Sequence, residues 1–324
     1  MPLSLRRKHP MHTDAITRLQ QHLRSALDPA PGEARRLLHG RGRRWPGLEQ
    51  ISVDWLQGIL LVTLFRQPEP GQLAALEAML PSLGQPVLLQ HRYRPDCPAE
   101  WLAGAPLSTW QIDEDGLRYQ LDLGNKQNSG LFLDMRYGRR WVRQQAAGKT
   151  VLNLFAYTCG FSIAAIAGGA RQVVNLDMAR AALSRGRDNH RLNQHDLSRV
   201  SFLAHDLFKS WGKVKRLGPF DLIIVDPPSL QKGSFVLSSD YPKILRRLPD
   251  LLNQDGLVLA CCNDPDRGSA FLLDAVAREA PGLVFRERLE NPPEFADIDP
   301  ECGLKALVFQ RTAQAGLSPT KAGP

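Results

Sequence analysis

The chain has 324 residues, 43% of them hydrophobic, with 41 Lys or Arg against 33 Asp or Glu and a formal charge of +8. Its length exceeds one typical domain and its apolar share fills a core, which excludes global disorder. The positive balance favours polyanionic partners, because each neutralised phosphate releases counterions.

The basic residues are unevenly spread. Arg35, Arg36, Arg41, Arg43 and Arg44 crowd one short stretch, with smaller groups at Arg92 and Arg94 and at Arg136, Arg139 and Arg140. Such stretches read either as a solvated face or as a contact surface for RNA or phosphate. The five cysteines (Cys97, Cys159, Cys261, Cys262 and Cys302) form no CxxC pair and no zinc spacing. A reducing compartment and no metal are expected. No apolar core follows the charged N-terminus, and no run approaches ~18 apolar residues. These features predict a soluble cytoplasmic protein without a membrane partner.

In chain order, residues 13–28 carry Ile16, Leu19, Leu23 and Leu27 at helical spacing, which predicts an amphipathic helix. With the basic segment it forms an N-terminal unit, 1–45. Residues 46–123 read as a small α/β unit. Strands at 50–53 and 59–65 turn near Gln57-Gly58. A helix at 73–83, a strand at 87–91, a proline-containing loop at 95–106 and a strand at 116–123 follow. Residues 124–146 read as a connecting hairpin. From 147 to 312 the pattern becomes an alternation of strands (150–155, 172–177, 200–206, 221–226, 256–262, 283–289, 304–310) and helices (161–168, 179–193, 207–214, 241–253, 270–279). That alternation predicts a parallel sheet with helices on both faces, closing on an antiparallel pair. The tail, 313–324, has no periodicity and is expected to be mobile. The fold class is therefore α/β: a Rossmann-like sheet of seven strands with a smaller N-terminal α+β domain.

Four segments carry the chemistry. Val151-Leu-Asn-Leu-Phe-Ala-Tyr-Thr-Cys-Gly160 runs from an apolar strand into a small-residue loop. Ligands of doubly wound sheets bind beyond such strand ends, and a glycine admits close approach. The segment is neither GxGxxG nor GxxxxGK[ST], which disfavours dinucleotide and triphosphate sites. Asn153, Phe155, Tyr157, Thr158 and Gly160 are its candidate cofactor contacts. Asp177, followed by Met178, ends the next strand, where a carboxylate can accept both hydroxyls of a ribose. Asp206 ends the third strand, where it could accept an adenine amino group with Leu207 or Phe208 against the ring. Each of these acids could equally be a helix cap. Asp226-Pro227-Pro228-Ser229 ends a buried strand. Its prolines fix the turn, so that a flat base could be clamped and its polar edge read.

In order and spacing these four segments resemble the class I S-adenosylmethionine (SAM)-dependent methyltransferases. From about residue 35 to 311 the chain further resembles a subfamily of bacterial 23S ribosomal RNA methyltransferases. That subfamily includes a cytosine-5 enzyme with an N-terminal PUA domain and the 7-methylguanine half of a bifunctional enzyme. Pro46-Gly47-Leu48, Val53-Asp54-Trp55, Ser129-Gly-Leu-Phe-Leu-Asp-Met-Arg136 and Asp299-Pro-Glu-Cys-Gly-Leu-Lys305-Ala carry this second resemblance. It implies SAM as cofactor and an RNA base as substrate. It also implies that Phe132 and Arg136 line the cofactor pocket, with Arg136 near the methionine carboxylate.

Two departures matter. No PUA domain is found, so RNA must dock through another surface. Cytosine-5 chemistry needs a thiolate, and the position of that cysteine is Asn263 here, as in the 7-methylguanine relative. The expectation is a methyltransferase acting on a ring or exocyclic nitrogen of an rRNA base, held by Asp226, Pro227, Pro228 and Asn263. Phe235 and Tyr241 are candidates either for stacking on that base or for core packing. Open alternatives are a cytosine-5 enzyme using Cys262, a non-catalytic SAM- and RNA-binding assembly factor, and a methyltransferase of a protein or small molecule. The oligomeric state is left open.

Overall fold

The computed structural model describes residues 13–312 except 125–126, 229 and 232–234. The expected tail at 313–324 and Ser229 lie outside the described residues. Helix α1 (Thr13–Ala26) buries Ile16, Leu19 and Leu23, as their spacing predicts. It packs on a five-stranded sheet ordered β1 (Arg35–His39), β2 (Ile51–Trp55), β3 (Leu60–Leu64), β4 (Val87–His91) and β5 (Ala99–Ala103). The β2–β3 pair is antiparallel and turns at Gln57 and Gly58. Both have positive φ, 55° and 115°, as a two-residue hairpin of matching twist requires. Strands β3 and β4 are parallel, joined across the sheet by α2 (Pro70–Met79).

Three sequence expectations are corrected here. The basic stretch after α1 supplies β1, which pairs antiparallel with β2, so a boundary at 45/46 would divide one sheet. The proline-containing loop at 95–106 supplies β5, which covers the edge of β4. Both are edge strands with little alternation, and edge pairing is decided by the neighbouring strand rather than by local pattern. Residues 124–146 are not a hairpin. The hairpin lies just before them, as β6 (Thr109–Glu114) and β7 (Leu117–Asp122), and α3 (Arg136–Gln145) follows. Helix α3 buries Gly138, Arg139, Trp141 and Val142, and a buried arginine hides its inner face from any hydropathy pattern.

The remaining elements alternate as predicted: β8 (Thr150–Leu154), α4 (Gly160–Ala167), β9 (Gln172–Asp177), α5 (Arg180–Leu192), β10 (Val200–Ala204), α6 (Trp211–Leu217) and β11 (Phe220–Val225). Two short strands, β12 (Leu230–Gln231) and β13 (Phe235–Val236), precede α7 (Leu237–Leu245), α8 (Leu248–Leu251), β14 (Leu252–Cys262), α9 (Ser269–Glu279), β15 (Leu283–Leu289) and β16 (Lys305–Arg311). The sheet order is β10-β9-β8-β11-β14-β16-β15, with β16 antiparallel to both neighbours. Strand order reverses between β8 and β11, which opens a crevice beyond their carboxyl ends. Leu152, Leu154, Ile223 and Val225 bury against one helical layer, and Val151, Leu222 and Ile224 against the other.

The β6–β7 hairpin braces the two sheets. Trp110 Nε1 donates to Leu56 O at 2.6 Å on the N-terminal side, while Arg118 N and Gln120 N donate at 2.9 Å to Asn193 and Asn189. Glu114 takes Arg139 Nε and Nη2 at 2.6 and 2.7 Å, both side chains almost wholly buried. Breaking such a pair from one side leaves an uncompensated buried charge. Glu114→Ala should therefore cost about 3–5 kcal/mol, read as a lowered midpoint of urea unfolding, whereas an unchanged midpoint would contradict the bracing role.

Candidate active site

The loop after β8 is built under strain. Phe155, Tyr157 and Cys159 have φ of 57°, 47° and 65°, three non-glycine residues in the left-handed region. What holds them is Asp177, at the end of β9. Its Oδ2 accepts Tyr157 N and its Oδ1 accepts Ala179 N, both at 2.8 Å. Thr158 Oγ1 donates to Gly130 O, and Tyr157 OH donates to Asn128 O at 3.2 Å, tying the loop to the segment after the hairpin. Each Asp177 oxygen keeps a lone pair free for a ribose hydroxyl.

Asn153 lies elsewhere than expected. Its Nδ2 donates to Asn175 Oδ1 at 2.9 Å, Asn175 donates to Ser162 Oγ, and Ser162 meets His190 Nε2, also at 2.9 Å. Burial, with His195 beside it, pushes His190 down to about 3, so its ring is neutral. Strand alternation turns Asn153 into this buried network beneath α4, so it supports the loop from below. Asp206 caps the turn that follows it, accepting Phe208 N at 2.9 Å, and Leu207 is buried in the core. Asp206 also lies 3.6 Å from Lys209 Nζ.

Two large apolar side chains flank the loop in the open: Phe132 is 43% and Met178 48% exposed. Phe132 also meets Tyr157 at 5.6 Å between ring centroids. A carboxylate with free lone pairs, exposed apolar walls and a loop tip fit an adenosyl group, so Phe132, Tyr157, Asp177 and Met178 would hold it.

Arg136 does not reach this pocket. Its guanidinium is taken by Glu33 and Asp115, and Asp115 is held at about 2 by Arg140 and Arg136. The arginine that reaches the loop is Arg139, one turn further along α3. A Cβ built at Gly160 would come within 3.4 Å of Arg139 Cδ and 3.2 Å of Leu131 Cδ1. Their partners separate the two: Glu33 and Asp115 hold Arg136, whereas Glu114 and Phe132 O hold Arg139. The sequence reading missed Arg139 because its partner, Glu114, is brought in by the hairpin.

Across the crevice stands Asp226, with Pro227 buried and Pro228 exposed. Burial pushes the Asp226 carboxyl up to about 7, the charge of Asp134 adds to this, and Arg139 opposes it. Asp134 itself accepts from Asn263 Nδ2 at 3.4 Å. Asp134 was quoted only as part of a motif; its place opposite Asp226 is visible only in three dimensions. Asn263 is thereby joined to Asp134, whose charge acts on Asp226. Cys261 and Cys262 are fully buried on opposite faces of β14, and burial raises both thiols. Phe235 and Tyr241 are also core: Phe235 sits edge-on to Phe155 at 5.2 Å, and Tyr241 OH donates to Val225 O at 3.3 Å. A cleft of about 1530 Å³ runs from Phe132, Asp134 and Asn263 to Arg36, Arg41 and Arg92 on the N-terminal sheet.

The sequence profile described as S-adenosylmethionine-dependent methyltransferase matches residues 35–310, and the chain belongs to that family. Its sheet is the Rossmann-like class I arrangement, and the cofactor of the family is SAM. Among curated proteins it is 32% identical over 247 residues to ribosomal RNA large subunit methyltransferase I of Serratia proteamaculans, covering 69% of this chain and 59% of that relative. The chain thus spans about three fifths of that relative's length. It is 28% identical over 320 residues to YwbD of Bacillus subtilis, a candidate ribosomal RNA large subunit methyltransferase, covering 91% and 79%. A candidate SAM-dependent methyltransferase structure from Streptococcus mutans superposes with TM-score 0.82 at 23% identity, covering 96% and 83%. No helix among the described residues is long and apolar enough to cross a membrane.

Two outcomes follow from this geometry. Asp177→Ala removes both the ribose acceptor and the clamp on Tyr157, so calorimetry with S-adenosylhomocysteine should show binding weakened by about 1.5–3 kcal/mol per lost charged hydrogen bond; unaltered binding would remove Asp177 from the site. Asp226 titrates higher in the folded protein (about 7) than in the unfolded chain, where an aspartate has its ordinary value of 3.8. Between those values the folded state binds the extra proton, so this group's contribution to stability declines as pH rises from 4 to 7. Asp226→Asn should accordingly raise the melting temperature at pH 8, with the gain fading towards pH 4.

Proposed function

We propose that this chain methylates a nitrogen of a large-subunit ribosomal RNA base. The observation that carries this reading is the acceptor wall: Asn263 donates to Asp134, the charge of Asp134 acts on Asp226, and both nearby thiols are buried in the layers on either side of β14. Bound SAM supplies a methyl group already activated by the sulfonium, and a base nitrogen supplies its own lone pair. The residues need only position the base and exclude water. In the ionised state Asp226, with the backbone at Pro227, accepts from the polar edge of the base, and Asn263 adds a second hydrogen bond. The rRNA substrate is supported by the names of the relatives and by the basic share of the chain.

The decisive experiment is nucleoside mass spectrometry of large-subunit rRNA from a deletion strain. One N-methylated nucleoside should disappear and return on complementation; an unaltered nucleoside profile would sink the reading. Because Asp226 must be ionised to accept, methyl transfer should rise as pH increases through about 7, and this limb should be missing from the residual activity of Asp226→Asn. Cys262→Ser should retain activity, and 5-fluorocytosine RNA should form no covalent adduct; an adduct lost in Cys262→Ser would instead establish cytosine-5 chemistry.

A further inference from the structure

The end of the cleft furthest from the loop holds an arrangement that the methyl-transfer chemistry does not use. Arg41 and Arg92 lie over the same ring, that of Phe65, with guanidinium carbons 4.7 and 5.6 Å from its centroid. Neither makes a carboxylate ion pair among the described residues, and Arg92 spends one donor on Gln127 O at 3.3 Å. Their neighbour Arg36 is satisfied differently, by Asp54 at 2.8 and 3.1 Å and by the Phe295 ring at 4.5 Å. Partial desolvation by the cleft walls and the nearby positive charges both disfavour the charged forms of Arg41 and Arg92. Two like charges held together without a counterion are costly unless an anion joins them.

The turn that carries Arg41 is also built to a fixed position. A Cβ at Gly40 would stand 1.8 Å from Leu48 O, and one at Gly42 would stand 2.5 Å from Ala296 O. Gly42 O accepts Ile298 N at 2.9 Å, so the turn is pinned to the segment between β15 and β16. Arg41 is therefore presented by backbone clamped to both halves of the molecule. It is not a side chain on a free loop.

We propose that Arg41 and Arg92, spaced by Phe65, form a phosphate-binding subsite for the backbone of a single RNA strand whose target base reaches the Asp226 pocket through the cleft. The inference rests on the RNA reading above and names the surface that reading needs. Two guanidinium groups already lie over the Phe65 ring, so the ring gathers the cations. Guanidinium forks match phosphate oxygens bidentately. The cleft runs continuously from this pair to Asp134 and Asn263, which is the path a base-bearing strand would follow. Phosphate contacts carry no sequence information, so a strand of arbitrary sequence is an adequate probe.

The test uses the full chain and a labelled single-stranded oligoribonucleotide, with fluorescence anisotropy measured over a range of salt concentrations. Arg41→Ala/Arg92→Ala should lose about tenfold or more in affinity at low salt, and its salt slope should be shallower by about 1–2. S-adenosylhomocysteine binding, measured by calorimetry, should be unchanged, which also shows that the variant is folded. Arg216→Ala/Arg247→Ala removes the same charge outside the cleft and should leave the slope intact. If the cleft variant binds RNA like the parent, or if both pairs lose equally, the subsite is overturned while the RNA reading stands. If the parent binds no RNA at any salt concentration, or prefers polyglutamate, both fall together.

Discussion

The pairing of Arg139 with Glu114 organises the molecule. A guanidinium taken out of water must have its donors met. Here Glu114 on β6 meets two of them, and Phe132 O meets another at 2.9 Å. Those three bonds lock the hairpin, the segment 131–135 and α3 into one body. The aliphatic part of the same side chain then lies against Gly160 at the start of α4. The cofactor loop therefore has its outer wall set by a charge pair whose two members come from outside the seven-stranded sheet. Asp134, two residues after Phe132, is carried into the cleft by the same lock.

From that frame the two sides of the crevice acquire opposite characters. On the cofactor side, three left-handed residues are stabilised by hydrogen bonds to Asp177 and to the backbone of 128–130. The strain is local and its compensation is local, which keeps the loop tip in one shape. On the other side, burial first and the charge of Asp134 second push the Asp226 carboxyl up to about 7. Both thiols of β14 are directed into packed layers.

The N-terminal sheet completes the cleft. Its basic residues divide into two sets: Arg36 is neutralised within the protein, while Arg41 and Arg92 share the Phe65 ring. Charge count alone does not separate these sets. Two acids of the cleft lie beside partners of their own, Asp54 with Arg36 and Asp122 with Arg185.

The alternation of strands and helices after residue 147, the strand-end acids Asp177, Asp206 and Asp226, and the helical stripe of α1 were legible in the sequence. Each is written by hydrophobic period or by residue type at a chain position, and such local signals survive without a partner. The strands β1, β5 and β6, the helix α3, the inward turn of Asn153, the exchange of Arg136 for Arg139 and the role of Asp134 were not legible. Except for β6, which pairs with β7 across a tight turn, the deciding group lies elsewhere along the chain: β2 for β1, β4 for β5, Glu114 for Arg139, Asn175 for Asn153. The sequence by itself determined that a ribose-bearing cofactor would meet a proline-fixed acceptor pocket on a doubly wound sheet. Only the tertiary structure decided which arginine, which carboxylates and which guanidinium pair line that meeting place, because burial and charge pairing are properties of contacts and not of order along the chain.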